Sequence, residues 1–191
     1  RTFDSISKFA ELLGKSKGDQ FVPRITTHQI TDNTEIILIE PACGSNTAII
    51  KSCGEVLVVD SGYACYRNEM LTILRNLLPG FDTMHKRLLL THADVDHCGL
   101  MDIFDEIVVS CRSAQSLRRE SLGENGFREQ NPLHRPYVNI CKILTSYAEV
   151  NPEKLRTPWQ NISELRGPLT QIGFFDFGDL HFEVYEGKGG H

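Results

Sequence analysis

The segment Thr91-His92-Ala93-Asp94-Val95-Asp96-His97-Cys98-Gly99 packs four metal-competent side chains into six residues. Imidazole and carboxylate are donors that suit zinc, iron and manganese. In an extended loop the period of two sets His92, Asp94 and Asp96 on one side. A turn at Asp96-His97 then brings His97 round to the same cavity. Ala93 and Gly99 are small enough to let the backbone approach closely. A polar loop capping a helix accounts for one aspartate, but not for two histidines and two aspartates converging behind an apolar run. A cation held here lowers the pKa of its water toward ~7 and makes it a nucleophile.

Other chemistry-bearing residues carry less. Cys98 is expected to pack against the next helix rather than to ligate. His28, His85, His134 and His181 have no partner pattern and are read as surface groups. Arg112, Arg118, Arg119, Arg128 and Arg135 would rim the site as a solvated basic face, with anion binding as the alternative. Tyr137 and Trp159 are expected in a small local core, with pocket lining as the alternative.

The elements that must position the cluster are legible from hydrophobic period. Phe3, Ile6, Phe9 and Leu13 recur at helical spacing before the breakers Gly14 and Gly18. Strand-like runs follow at 35–40, 46–51 and 55–59, separated by Cys43-Gly44-Ser45 and Ser52-Cys53-Gly54, which suggests an antiparallel meander. From Glu69 to Leu78 the apolar residues mark one helix face, and Pro79-Gly80 ends it. Leu88–Thr91 and Ile107–Ser110 read as short buried strands, with a helical turn at Gly99–Phe104 between them and a helix at Ser113–Arg119 after them. Strand and helix alternating in this way imply an α/β arrangement with crossover connections. Residues 120–168 hold five of the eight prolines and one expected helix, Tyr137–Val150. Phe174–Tyr185 reads as a hairpin turning at Gly178-Asp179.

Composition bounds the function classes. The chain has 191 residues, 40% hydrophobic and 24% charged, with a formal charge of −5. It is too apolar for a disordered chain, and its acidity argues against nucleic acid or a membrane surface as partner. No apolar run approaches the ~18–20 residues needed to cross a bilayer, and Arg1–Leu13 shows no signal-peptide h-region. Six scattered cysteines form no C-x-x-C pair and are read as reduced thiols of a cytoplasmic protein. On that reading the sequon Asn161-Ile162-Ser163 is not used.

The H-A-D-V-D-H segment resembles the His-x-His-x-Asp-His signature of the metallo-β-lactamase superfamily. Val58-Val59-Asp60-Ser61-Gly62 resembles that family's early strand closing on an Asp-x-Gly turn. A helix and a buried strand separate it from the metal motif, as in the family. The closing hairpin leads to Gly187-Lys188-Gly189-Gly190-His191, which is similar to the loop carrying the third metal-binding histidine. The resemblance covers roughly residues 25–191 and implies an α/β (α+β) fold, an αβ/βα sandwich of mixed, mostly antiparallel sheets flanked by helices. It implies one domain over 1–191 with an insertion at about 112–170. Two departures stand out. Asp94 replaces a histidine, and a carboxylate there favours harder iron or manganese; the di-iron flavoproteins, a related branch, carry Glu. The family's later bridging Asp and last His have no counterpart before His191, so the chain is expected to be the N-terminal part of a longer protein.

The resemblance implies His92, Asp94 and His191 as one metal site and Asp96 and His97 as the start of a second. Asp96 and Asp60 are the implied catalytic carboxylates, the first holding the hydroxide, the second orienting ligands by hydrogen bonds. Two divalent ions are implied, zinc first, iron or manganese as alternatives. The implied activity is hydrolysis of an ester, thioester, lactone, amide or phosphodiester bond in a small-molecule substrate by a metal-bound hydroxide. A non-haem di-iron oxidoreductase and a non-catalytic, metal-stabilised binding domain are the alternatives. A homodimer is left open.

Overall fold

The structure, a computed structural model, describes residues 2–159 and 164–187. His191 and the sequon at 161–163 lie outside the described residues. The chain opens with helix α1 (Thr2–Lys15), then strands β1 (Arg24–Thr31), β2 (Thr34–Glu40), β3 (Thr47–Ser52) and β4 (Glu55–Val59). Helix α2 (Arg67–Leu77) leads to β5 (Arg87–Leu89) and β6 (Glu106–Val108). Helices α3 (Cys111–Ser121) and α4 (Arg135–Leu144) precede β7 (Leu155–Arg156), β8 (Glu164–Arg166), β9 (Leu169–Phe177) and β10 (Leu180–Gly187).

β1 to β7 form one sheet in sequence order, and β10-β9-β8 form a second. The first four strands pair antiparallel, as the expected meander requires. From β4 onward the pairing is parallel. The change of direction follows from the connections: tight turns can only reverse a chain, whereas parallel neighbours need a crossover. β7 pairs parallel with β6, so residues 112–170 include the sheet's last strand.

The two-residue period of the central strands separates two apolar layers. Ile37, Ile39, Ile49, Val58 and Leu88 face one layer with Tyr66, Met70 and Leu74 around α2. Ile36, Ile50, Leu57, Val59 and Leu89 face the other, where Phe177, Phe175, Leu180 and Phe182 of the second sheet cover them. Side chains alternate across a strand, so both faces of β2 to β5 must be apolar when both are covered.

Several boundaries differ from the sequence reading. The expected helix at Tyr137–Val150 begins at Arg135 and ends at Leu144, where Thr145 N–H bonds Cys141 O and Ser146 takes a left-handed φ of 57°. α3 starts two residues early because Ser110 Oγ caps it, accepting from Ser113 N at 3.1 Å. β1 has no counterpart in the sequence reading. It is an edge strand exposed along most of its length, so no apolar period marks it.

Candidate metal centre

β4, β5 and β6 are parallel, so their C-terminal ends lie side by side, and in open α/β sheets that edge is where ligands bind. Asp60 follows β4, the Thr91–His97 segment follows β5 and Ser110 follows β6. Asp60 leaves its strand with a left-handed φ of 56°, a conformation that Asp tolerates better than most residues. Its backbone N–H bonds Leu89 O at 2.9 Å.

The Thr91–Cys98 segment is not extended through Asp96 as the spacing suggested. A helical turn begins at Asp94, whose carbonyl accepts from His97 N at 3.0 Å and Cys98 N at 3.1 Å. The Cys98 thiol, fully buried, also bonds that carbonyl, so it packs under its own turn. Burial pushes the thiol well above its ordinary pKa. Ser61 fixes the far side of the turn: its N–H donates to His97 O at 2.7 Å and its hydroxyl at 3.1 Å. Gly99 closes the packing. A Cβ there would meet Ala64 N at 2.2 Å, Gly62 O at 2.4 Å and the Tyr63 carbonyl carbon at 2.5 Å.

The structure brings His92, Asp96 and His97 together, with one donor atom of each within 4.8 Å of the others. The two imidazoles stand 4.0 Å apart, centroid to centroid. His97 Nδ1 donates to Asp60 Oδ2 at 2.6 Å, while its Nε2 lies 3.3 Å from Asp96 Oδ2. Burial disfavours charge on His97, but hydrogen bonds to Asp60 and Asp96 outweigh it and push the imidazole up to about 10. Burial likewise opposes ionisation of Asp96, yet the bond to His97 holds its carboxyl below the usual range. Asp60 is 5% exposed and also accepts from Thr91 N at 2.9 Å and Thr91 Oγ1 at 2.8 Å.

Asp94 stands beside this triad rather than within it. Its Oδ2 is 3.4 Å from His92 Nε2 and 2.9 Å from Arg128 Nη2. The sequence reading of Arg128 was a basic rim, with anion binding as the alternative, and nothing local marks its pairing with Asp94, which lies far away along the chain. Half-buried imidazoles with an ionised carboxylate make a donor set suited to a divalent cation. Their spacing lets small side-chain rotations bring them onto cations bound among them, so these residues fit a divalent metal centre.

Two cavities meet at His92. One, of about 330 Å3, is lined by His92, Asp94, Arg112, Arg119, Arg128 and Lys142 among others. The other, of about 270 Å3, is lined in part by His92, Arg112, Trp159, Phe175, Phe182 and Val184. Arg112, Arg119 and Arg128 therefore line the site, Arg118 is exposed, and Arg135 Nε bonds Glu129 O at 2.8 Å. Trp159 is a pocket wall, packed edge-on to Phe175, while Tyr137 is 44% exposed. His28, His85, His134 and His181 are exposed, as expected. All six cysteines are free thiols, and no helix among the described residues is long and apolar enough to cross a membrane.

Residues 41–189 match the family model of the metallo-beta-lactamase superfamily. Among solved structures the chain is similar to MEM-A1, a subclass B3 metallo-beta-lactamase isolated from a soil metagenome library, at 15% identity and a TM-score of 0.46 over 76% of this chain and 50% of that one. It is similar to the Rm3 metallo-beta-lactamase at 14% identity and a TM-score of 0.45, over 83% of this chain and 60% of that one. A flavoprotein from Thermotoga maritima matches at 14% identity and a TM-score of 0.45, over 86% of this chain and 40% of that one. The chain thus spans between 40% and 60% of the length of these structures. No curated protein matches it significantly.

Proposed function

This chain belongs to the metallo-beta-lactamase superfamily, and on that premise we propose that it is a metal-dependent hydrolase of a small-molecule ester, thioester, lactone, amide or phosphodiester. The observation that carries the proposal is the convergence of His92, Asp96 and His97 at the C-terminal edge of parallel strands. Divalent ions, zinc first and iron or manganese by virtue of the Asp94 carboxylate, supply a Lewis acid and lower the pKa of water. Two ions are proposed, with His92, Asp94 and His191 serving one and Asp96 and His97 the other; His191 enters on the sequence motif alone.

The chain's own residues do the rest. Asp60 holds the His97 ring through Nδ1, which leaves Nε2 to face the centre. Asp96, kept ionised, accepts a hydrogen bond from an attacking water and orients it. The scissile group enters from the cavities that meet at His92. The apolar wall of Trp159, Phe175 and Phe182 excludes water on one side. We propose a cytoplasmic location, on the scattered cysteines that form no C-x-x-C pair.

Elemental analysis of the purified protein, followed by hydrolysis assays on one model compound of each bond type, tests this. Stoichiometric metal and loss of turnover in His92→Ala are expected. Absence of stoichiometric metal, or turnover unchanged in His92→Ala, overturns the proposal.

A further inference from the structure

Outside the metal cluster, the least expected feature is a buried charged network between α3 and α4. Glu120 and Glu129, 7% and 6% exposed, share the Lys142 ammonium, with Nζ 3.0 Å from a carboxylate oxygen of each. Tyr147 OH donates to Glu120 at 2.9 Å, and Glu129 accepts from Gly126 N at 2.8 Å. The chain passes close under these carboxylates at Gly126, where a Cβ would stand 2.1 Å from Glu120 Oε1 and displace it. Phe127 N–H is held by Ser116 Oγ at 3.0 Å, and Arg135 Nε holds the Glu129 carbonyl.

These bonds fix the backbone on both sides of Arg128, and Arg128 is the residue that reaches the metal centre. Its guanidinium contacts Asp94 Oδ2, the same oxygen that faces His92 Nε2. One carboxylate oxygen cannot be given fully to both a guanidinium and a divalent ion, and the two cations repel each other at such range. We propose that Arg128, delivered by the Glu120–Lys142–Glu129 network, competes with a divalent metal ion for Asp94 and so sets how tightly that ion is held. Arg128 thereby acts as an internal counter-cation on the Asp94 side of the site, beside the cavity that His92 and Asp94 help to line. By linkage, an ion bound at Asp94 loosens Arg128 to the same degree. This inference rests on the metal-site reading above.

The test is calorimetric titration of metal-free protein with zinc chloride and with manganese chloride. Wild type, Arg128→Gln and Arg128→Lys are compared, each with and without Asp94→Asn. Arg128→Gln is expected to tighten one ion by roughly two- to fivefold, as the loss of a partly exposed charge pair allows, with Arg128→Lys in between. In the Asp94→Asn background the tightening disappears. A thermal melt without metal checks that each variant is folded. Equal affinities in wild type and Arg128→Gln, or a tightening that survives Asp94→Asn, overturns the competition while leaving the metal site intact. Binding of no ion by any variant overturns both this inference and the hydrolase reading.

Discussion

Asp60 and His97, separated by 37 positions, meet through a 2.6 Å bond between Oδ2 and Nδ1. The bond ties the end of β4 to the turn after β5 and selects the imidazole nitrogen that faces the centre. Asp60 is therefore a positioning residue. Asp60→Asn keeps the shape but turns an amide N–H toward donors that need an acceptor. Metal affinity is expected to fall about 10- to 100-fold, measured by zinc titration with circular dichroism verifying the fold.

Gly99 is pinned by backbone on three sides. Backbone atoms cannot yield as a flexible side chain can, so Gly99→Ala must displace the Gly62–Ala64 turn. A loss of about 3 kcal/mol or more is expected, read from urea denaturation. A midpoint within error of wild type would show that the turn is looser than its packing.

Lys142 gives a pH prediction. Burial opposes its charge, but Glu120 and Glu129 outweigh burial and raise its pKa above the ordinary 10.5. A cation whose folded pKa is raised contributes stability that is fully present below the unfolded value and lost as pH rises through the folded one. Lys142→Met, which strands two buried carboxylates, is expected to cost about 3 kcal/mol at pH 8, the low end for a broken buried pair because the ammonium side chain keeps 21% exposure. The gap between the two proteins' melting temperatures should hold to about pH 10.5 and narrow above it. A gap that widens with alkali would contradict the assigned pairing.

Asp179, at the turn between β9 and β10, clips the second sheet to the first. Its carboxylate accepts from Thr31, Thr34 and Ser52 hydroxyls, and its N–H donates to Ser52 Oγ at 3.0 Å. These bonds hold its carboxyl below the usual range. Asp179→Ala is expected to lower the melting temperature at neutral pH, and the difference from wild type should shrink in acid, because a carboxyl whose folded pKa is depressed loses its contribution as pH falls below the unfolded value.

Strands β2 to β4 were legible because alternating apolar residues lie between turn-forming clusters, and α2 because its apolar face ends at Pro79-Gly80. The registers that pair them were not. β1 escaped notice since an edge strand with few buried side chains leaves no period, and β7 is only two residues long. We propose a single domain over 1–191 with residues 112–170 as an insertion that returns to the first sheet through β7.

Sequence by itself determined the donor chemistry: His92, Asp94, Asp96 and His97 are fixed in type and spacing, and an apolar strand before them dictates a loop at a sheet edge. Folding decided how those donors are shared. A helical turn starting at Asp94 gathers three of them and presents the fourth to Arg128, a residue from the α3–α4 excursion. Local spacing encodes which atoms can bind a cation, whereas pairing across 34 positions depends on how separate elements pack, and that is settled only in the folded chain.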